Sequence, residues 1–195
     1  MRVGGVVLAA GGSSRLGRPK QLLVHEGRTL VRRAAEAAEA AGCEPVVVVL
    51  GAHGQAVAAE LTGLPVRTVD NPEWREGMGR SLRVGVRALP EVDAVLVLLC
   101  DQLRVDAAHL KALVDTFTRT RSPIVASGYE GARGVPALFS RALLPELEAL
   151  EADQGARKVI VRDPSRVVEV PLPGGGEDVD TAADLARLST RESCD

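Results

Sequence analysis

Short apolar runs alternate with longer stretches in which apolar residues recur every three or four positions, from the N-terminus to about residue 127. Residues 3–8 (VGGVVL), 45–50 (PVVVVL) and 92–99 (VDAVLVLL) are too short for helices and too apolar for strands with a wet face, so they read as strands of a parallel sheet buried on both sides. Residues 29–41 read as a helix with Leu30, Ala34, Ala37, Ala38 and Ala41 on one face, Arg32, Arg33, Glu36 and Glu39 on the other, and Gly42 as its stop. A weaker helix at 53–61 and a short strand at 66–69 follow, ending in the turn residues Asp70, Asn71 and Pro72. A helix starting near Arg80 or Ser81 has the apolar face Leu82, Val86 and Leu89, and another, capped by Asp106, has Leu110, Leu113, Val114 and Phe117.

The second half is less regular. Residues 123–127 and 135–139 read as strands joined across the turn 131–134, and 140–150 as a helical stretch that Pro145 kinks or splits. A further helix opens within 152–157, a strand covers 167–170, and prolines and glycines form a connection over 171–176. Residues 177–188 read as a final helix, in which Thr181 with Asp184 resembles a capping box. Strands alternating with amphipathic helices predict a three-layer α/β/α, Rossmann-like α/β fold with a mainly parallel sheet, to which the 128–176 stretch adds one antiparallel strand. The expected organisation is a single domain over 1–190, with halves 1–127 and 128–190 and a tail at 191–195.

Composition narrows the function classes. A net charge of −2 with interleaved signs gives no basic field for nucleic acid and no polybasic membrane patch. Cys43, Cys100 and Cys194 lack metal-binding spacing, which argues for free thiols in a reducing compartment. With no signal-peptide pattern and no apolar run approaching membrane-spanning length, a cytoplasmic enzyme or binding module is expected.

The densest chemistry lies in residues 8–20, LAAGGSSRLGRPK, directly after the first strand. Gly11 and Gly12 allow backbone N–H groups to approach an anion, while Ser13, Ser14, Arg15 and Lys20 add hydroxyl donors and positive charge. Arg18 and Pro19 stand where a P-loop needs Lys and Ser or Thr, and no Gly-x-Gly-x-x-Gly follows the strand. The alternative is an ordinary glycine-rich turn. In residues 71–86, Gly77 and Gly79 lead into a helix, with Ser81 either a ligand donor or an N-cap and Arg80, Arg83 and Arg87 a solvated face. Trp74, the only tryptophan, either covers a ligand or packs that loop down. Asp101 follows the strongest strand and, with Asp106 available as the helix cap, is free to hold a hard cation such as magnesium. Asp178, Asp180 and Asp184 crowd one helix N-terminus, where the dipole or a metal would favour them. His25, His53 and His109 are scattered and read as structural or solvated.

Taken together, residues 8–20, 71–86, 100–102, 134–139, 153–157 and 178–184 resemble, in order, the motifs of the MobA-like nucleotidyltransferases, and among these most resemble the molybdenum cofactor cytidylyltransferases. Leu16, Leu103 and Ala152 depart from the usual Met, Pro and Gly of that pattern. The resemblance implies transfer of a CMP group from CTP to the terminal phosphate of a molybdopterin-type cofactor, with release of pyrophosphate. GTP in place of CTP, a phosphorylated sugar, polyol or lactate as acceptor, and a nonenzymatic nucleotide or cofactor carrier stay open as alternatives. It further implies nucleotide binding by Leu8, Ala9, Ala10, Gly11, Gly12, Ser13, Ser14, Arg15, Lys20, Asn71, Gly79 and Ser81, with Arg15, Lys20 and Asp101 catalytic. Magnesium would lie between Asp101 and Asp180, with Asp178 as a further carboxylate, and Gly134, Pro136, Ala137 and Arg157 would face the acceptor. On this reading 1–127 is the nucleotide half and 128–190 the acceptor half, a molybdenum enzyme or its chaperone receives the product, and neither nucleic acid nor membrane is a partner.

Overall fold

A computed structural model describes residues 1–14, 16–176 and 184. Arg15, Asp178, Asp180, most of the expected 177–188 helix and the 191–195 tail lie outside the described residues. Seven strands form one sheet: β1 (Val3–Leu8), β4 (Val46–Leu50), β5 (Val66–Asp70), β6 (Ala94–Leu99), β7 (Ile124–Tyr129), β8 (Ala132–Ser140) and β9 (Val167–Pro171). Their spatial order is β5-β4-β1-β6-β8-β7-β9. Every pairing is parallel except those of β8, which runs antiparallel to both β6 and β7. The expected mainly parallel sheet with one antiparallel strand is the observed one.

The apolar runs are uniform because both faces of the central strands are covered. Along β6, Ala94, Leu96 and Leu98 join a core beneath α1 (Leu30–Ala40), α2 (Gly54–Glu60) and α4 (Ala107–Thr120). Val95 and Val97 join a second core on the opposite face, beneath α3 (Met78–Ala88), α5 (Leu144–Glu148) and α6 (Arg157–Arg162). This alternation is the period-two geometry of a strand with a helix layer on each side.

Three local expectations need correction. α3 begins at Met78 rather than near residue 80, with Gly77 at its N-cap, so Ser81 is not the cap. The segment 140–150 is a 3-10 turn over Arg141–Leu143 followed by α5, whose first turn carries Pro145 where no backbone donor is needed. The small hairpin β2 (Val24–His25) and β3 (Arg28–Thr29) had no counterpart in the sequence reading. Its two-residue strands are too short for a periodicity to register, and its turn is Glu26-Gly27 rather than a stronger hairpin dipeptide. Among the described residues, no helix is long and apolar enough to cross a membrane.

Candidate functional site

β1 and β6 are central neighbours whose carboxyl ends open on a cavity of about 580 Å³. In a parallel α/β sheet this edge is the usual ligand crevice, because chain turning from strand to helix leaves backbone groups and side chains projecting there. One wall is the loop after β1, with Leu8, Ala9, Ala10, Gly11, Gly12, Lys20 and Gln21; Trp74, Arg75, Gly77, Met78 and Ser81 form another, and Leu99, Cys100 and Asp101 close it.

The loop after β1 is held from both sides. Ala9 N–H donates to the Val49 carbonyl at 3.0 Å and Ala52 N–H to the Ala10 carbonyl at 3.0 Å, which ties the loop to the end of β4. Gln21 is 1% exposed, and its Nε2 donates to the carbonyls of Ala9 (2.9 Å) and Gly11 (2.7 Å), past the end of the β1 ladder. Leaving two such carbonyls unpaired would cost about 1–3 kcal/mol each. Gln21 therefore sets the loop's shape, a role its sequence neighbours Lys20 and Leu22 do not signal. Pro19 leads into a 3-10 turn whose first residue is Lys20, and the Lys20 backbone N–H donates to Ser13 Oγ at 3.0 Å.

Lys20 and Asp101, 81 residues apart, form an ion pair through Nζ and Oδ2. Asp101 is therefore not free, as its position after the strand had implied, but engaged by the loop's lysine at the cavity wall. Its side chain is 7% exposed and that of Lys20 22%. Cys100, beside it, is no candidate nucleophile: burial is the main cause pushing its thiol up to about 12, and burial likewise pushes Cys43 to about 12.

The segment from Asn71 into α3 supplies the facing wall. Asn71 is buried; its Oδ1 accepts from Glu73 N–H at 3.1 Å and its Nδ2 donates to Ser81 Oγ at 3.0 Å. The Trp74 ring lies edge-on to Gly12, where a Cβ would meet it at 2.8 Å, and the Trp74 Cβ lies close to Gly51. Trp74 thus both packs this loop onto the β1 loop and lines the cavity. Gly79 lies under the 151–155 loop instead: its N–H donates to the Ala152 carbonyl at 2.9 Å, and a Cβ there would fall 2.1 Å from the Glu151 carbonyl oxygen. Arg80, Arg83 and Arg87 are not merely solvated. Arg80 pairs with Glu73 and Glu76, Arg83 donates to the carbonyls of Glu148 and Leu150, and Arg87 pairs with Glu148.

Gly134, Pro136 and Ala137 are buried on β8, with Ala137 opposite Val97 of β6, while Arg157 is exposed at the start of α6. None of the four lines the cavity. The backbone of this β8 segment is fixed by side chains: Gln102 Nε2 donates to the Val135 carbonyl at 2.8 Å, Tyr129 Oη to the same oxygen at 3.2 Å, and Ser127 Oγ to the Pro136 carbonyl at 2.6 Å.

His109 Nε2 lies 2.7 Å from Ser127 Oγ. A Ser–His pair at this distance can mark a nucleophile, but Ser127 is fully buried and its proton is committed to the Pro136 carbonyl. His109 is then the donor, which fixes the neutral ring as the Nε2–H tautomer. Burial lowers its pKa from the ordinary 6.5, with Asp106 opposing in part. The unfolded chain therefore binds the proton first as pH falls, so the stability from the neutral ring is complete above pH 6.5 and is lost below it. Thermal melts between about pH 6.5 and 5 should show a steeper loss for the wild type than for His109→Gln, which keeps a donor without titrating. Parallel pH profiles would remove His109 as the cause.

The fold and the cavity define a doubly covered α/β protein with a ligand-sized crevice at its strand ends. The chain belongs to the MobA-like NTP transferase family, whose domain matches residues 5–167. It is thereby of the nucleotidyltransferase class. It is 38% identical to nicotine blue oxidoreductase from Paenarthrobacter nicotinovorans, covering 95% of this chain and 96% of that protein. Rv0371c from Mycobacterium tuberculosis H37Rv is 34% identical, covers 96% of this chain and 98% of its own, and superposes with a TM-score of 0.80. A structure of Rv0371c in complex with manganese superposes with a TM-score of 0.76 at 33% identity, covering 96% and 98% of the two chains.

Proposed function

We propose that the chain transfers CMP from CTP to the terminal phosphate of a molybdopterin-type acceptor and releases pyrophosphate. The observation that carries this reading is the pairing, in one cavity wall, of a glycine loop with Lys20 on one side and Asp101 on the other. In the proposed reaction an acceptor phosphate oxygen forms a bond to the α-phosphorus, the bond from that phosphorus to the β-bridging oxygen breaks, and its electron pair leaves with pyrophosphate. A phosphate monoester has its second pKa near about 6, so the nucleophile is already anionic at neutral pH and needs no general base. Positioning and charge neutralisation are what remain for the protein to supply.

The loop from Gly11 to Gly12, with Arg15, would hold the β and γ phosphates, and Lys20 would neutralise charge developing on the α-phosphate. The base would lie against Ala9 and Ala10 beside Ser81, which is held by Asn71. Acceptor contacts are assigned to the β8 segment 134–137, which pairs with β6, and to Arg157 at the start of α6.

A divalent cation fits the donor set. Among the described residues no three His, Cys, Asp or Glu cluster as a self-sufficient metal cage. A single cavity-lining carboxylate, Asp101, is instead the donor expected for a hard ion that takes its remaining ligands from phosphate and water. Magnesium held by Asp101, with Asp180 or Asp178 as the second carboxylate, would add positive charge at the phosphates; the manganese complex of Rv0371c supports a divalent ion of this kind.

A second reading comes from the relative named as an oxidoreductase. Hydride chemistry needs a nicotinamide or flavin donor, and the loop after β1 lacks the Gly-x-Gly-x-x-Gly that such dinucleotides use. A panel of CTP, GTP, ATP and UTP against molybdopterin-type, sugar-phosphate, polyol-phosphate and phospholactate acceptors, followed by pyrophosphate release with magnesium, separates the readings. Release with CTP and the molybdopterin-type acceptor is expected. Release only with another pair reassigns the substrate, and NADH or NADPH oxidation without any release favours the oxidoreductase reading.

A further inference from the structure

Charges around the cavity are unevenly matched. Lys20 and Asp101 largely neutralise each other, so among the described residues lining the cavity the net positive charge comes from Arg75. Arg75 has no ion pair with a described carboxylate; its Cζ lies 4.5 Å from the centroid of the Trp74 ring. Flanking residues behave differently, since Arg80 is tied to Glu73 and Glu76. The edge of the Trp74 ring in turn abuts Gly12, and its Cβ abuts Gly51, each closer than an added Cβ at that glycine would allow without a shift. The ring is therefore a fixed spacer that carries a guanidinium to the rim of the same loop that faces the phosphates.

We propose that Arg75, presented on Trp74, is a binding residue for the pyrophosphate portion of the nucleoside triphosphate, the part that becomes the leaving group. This rests on the nucleotide reading given above and adds a residue that the glycine-loop motif does not contain. A planar guanidinium can bridge two phosphate oxygens, and stacking on the indole reduces the freedom it loses on doing so. The contact with the ring places this guanidinium over Trp74, whereas the neighbouring Arg80 is the one that pairs with Glu73 and Glu76. The acceptor phosphate contributes nothing to this contact, so the effect of Arg75 should appear in nucleotide binding without acceptor present.

Trp74 is the only tryptophan, so its fluorescence reports occupancy of this wall directly. Dissociation constants for CTP, CMP, cytidine and inorganic pyrophosphate should be measured on the full chain for wild type, Arg75→Met and Arg75→Lys. Loss of one charge-assisted contact should weaken CTP and pyrophosphate about tenfold in Arg75→Met, with cytidine and CMP changed less than twofold and Arg75→Lys intermediate. Isothermal titration on the same samples covers any ligand that leaves the fluorescence unmoved. Equal weakening of all four ligands would mean that Arg75 only braces Trp74, and unchanged affinities would mean no phosphate contact; either overturns the proposal. Failure of wild type to bind any nucleoside triphosphate would overturn the nucleotide reading itself, whereas normal wild-type binding with an unaffected Arg75→Met overturns only the role of Arg75.

Discussion

Asp101→Ala is expected to lower nucleotidyl transfer by about a thousandfold or more while leaving the fold intact. Asp101 sits at the end of β6 in the wall of the cavity, outside the two apolar cores, and its partner is a single partly exposed ammonium. Lys20 is partly exposed to the cavity, and no apolar packing is lost with the carboxylate, so the stability cost should be small compared with the loss of activity. The measurement is turnover at saturating substrates beside a thermal melt of the same preparation. A variant that turned over normally would remove Asp101 from the chemistry. A variant that unfolded would place it in the scaffold instead.

Gly79→Ala is expected to destabilise the protein by about 2–3 kcal/mol and to impair use of the acceptor more than binding of the nucleotide. The added Cβ would fall 2.1 Å from the Glu151 carbonyl oxygen and 2.9 Å from that of Gln154, both backbone atoms that cannot rotate aside. The 151–155 loop would have to lift off α3, breaking the 2.9 Å bond from Gly79 N–H to Ala152. That loop runs directly into α6, whose first residue is Arg157. Denaturant midpoints and separate KM values for nucleotide and acceptor check this. An unchanged midpoint would mean that the loop contact is not needed, and a rise confined to the nucleotide KM would place Gly79 against the base.

What could be read from the sequence divides along physical lines. β1, β4 and β6 were legible because burial on both faces demands unbroken apolar runs, and α1 and α4 because a helix against a sheet needs a single apolar stripe. The start of α3 was misplaced because Gly77 caps it without a side chain, leaving none of the Ser, Thr or Asp signals that mark an N-terminus. In the candidate site, the glycine loop and the strand-end aspartate were visible from their positions relative to strands. Their relation was not: an ion pair across 81 residues is a product of strand order, since β1 and β6 are neighbours in space but not in sequence. Gln21 was missed for a related reason, because its two carbonyl partners become unpaired only once the loop has turned. The packing of Gly79 against the backbone carbonyls of a loop more than seventy residues away leaves no trace in its own neighbourhood of sequence. Tertiary proximity of this kind leaves no local pattern.

Transfer of the α-phosphate is the central event of the proposed reaction. CTP labelled at that phosphorus should be incubated with the wild-type chain, magnesium and the phosphorylated acceptor, and the products separated. Label should move into the acceptor in step with pyrophosphate release, and omitting acceptor or magnesium, or substituting Asp101→Ala, should abolish the transfer. Label that stays in free nucleotide with every triphosphate and acceptor supplied, or release of the γ-phosphate in place of pyrophosphate, would contradict the proposed reaction.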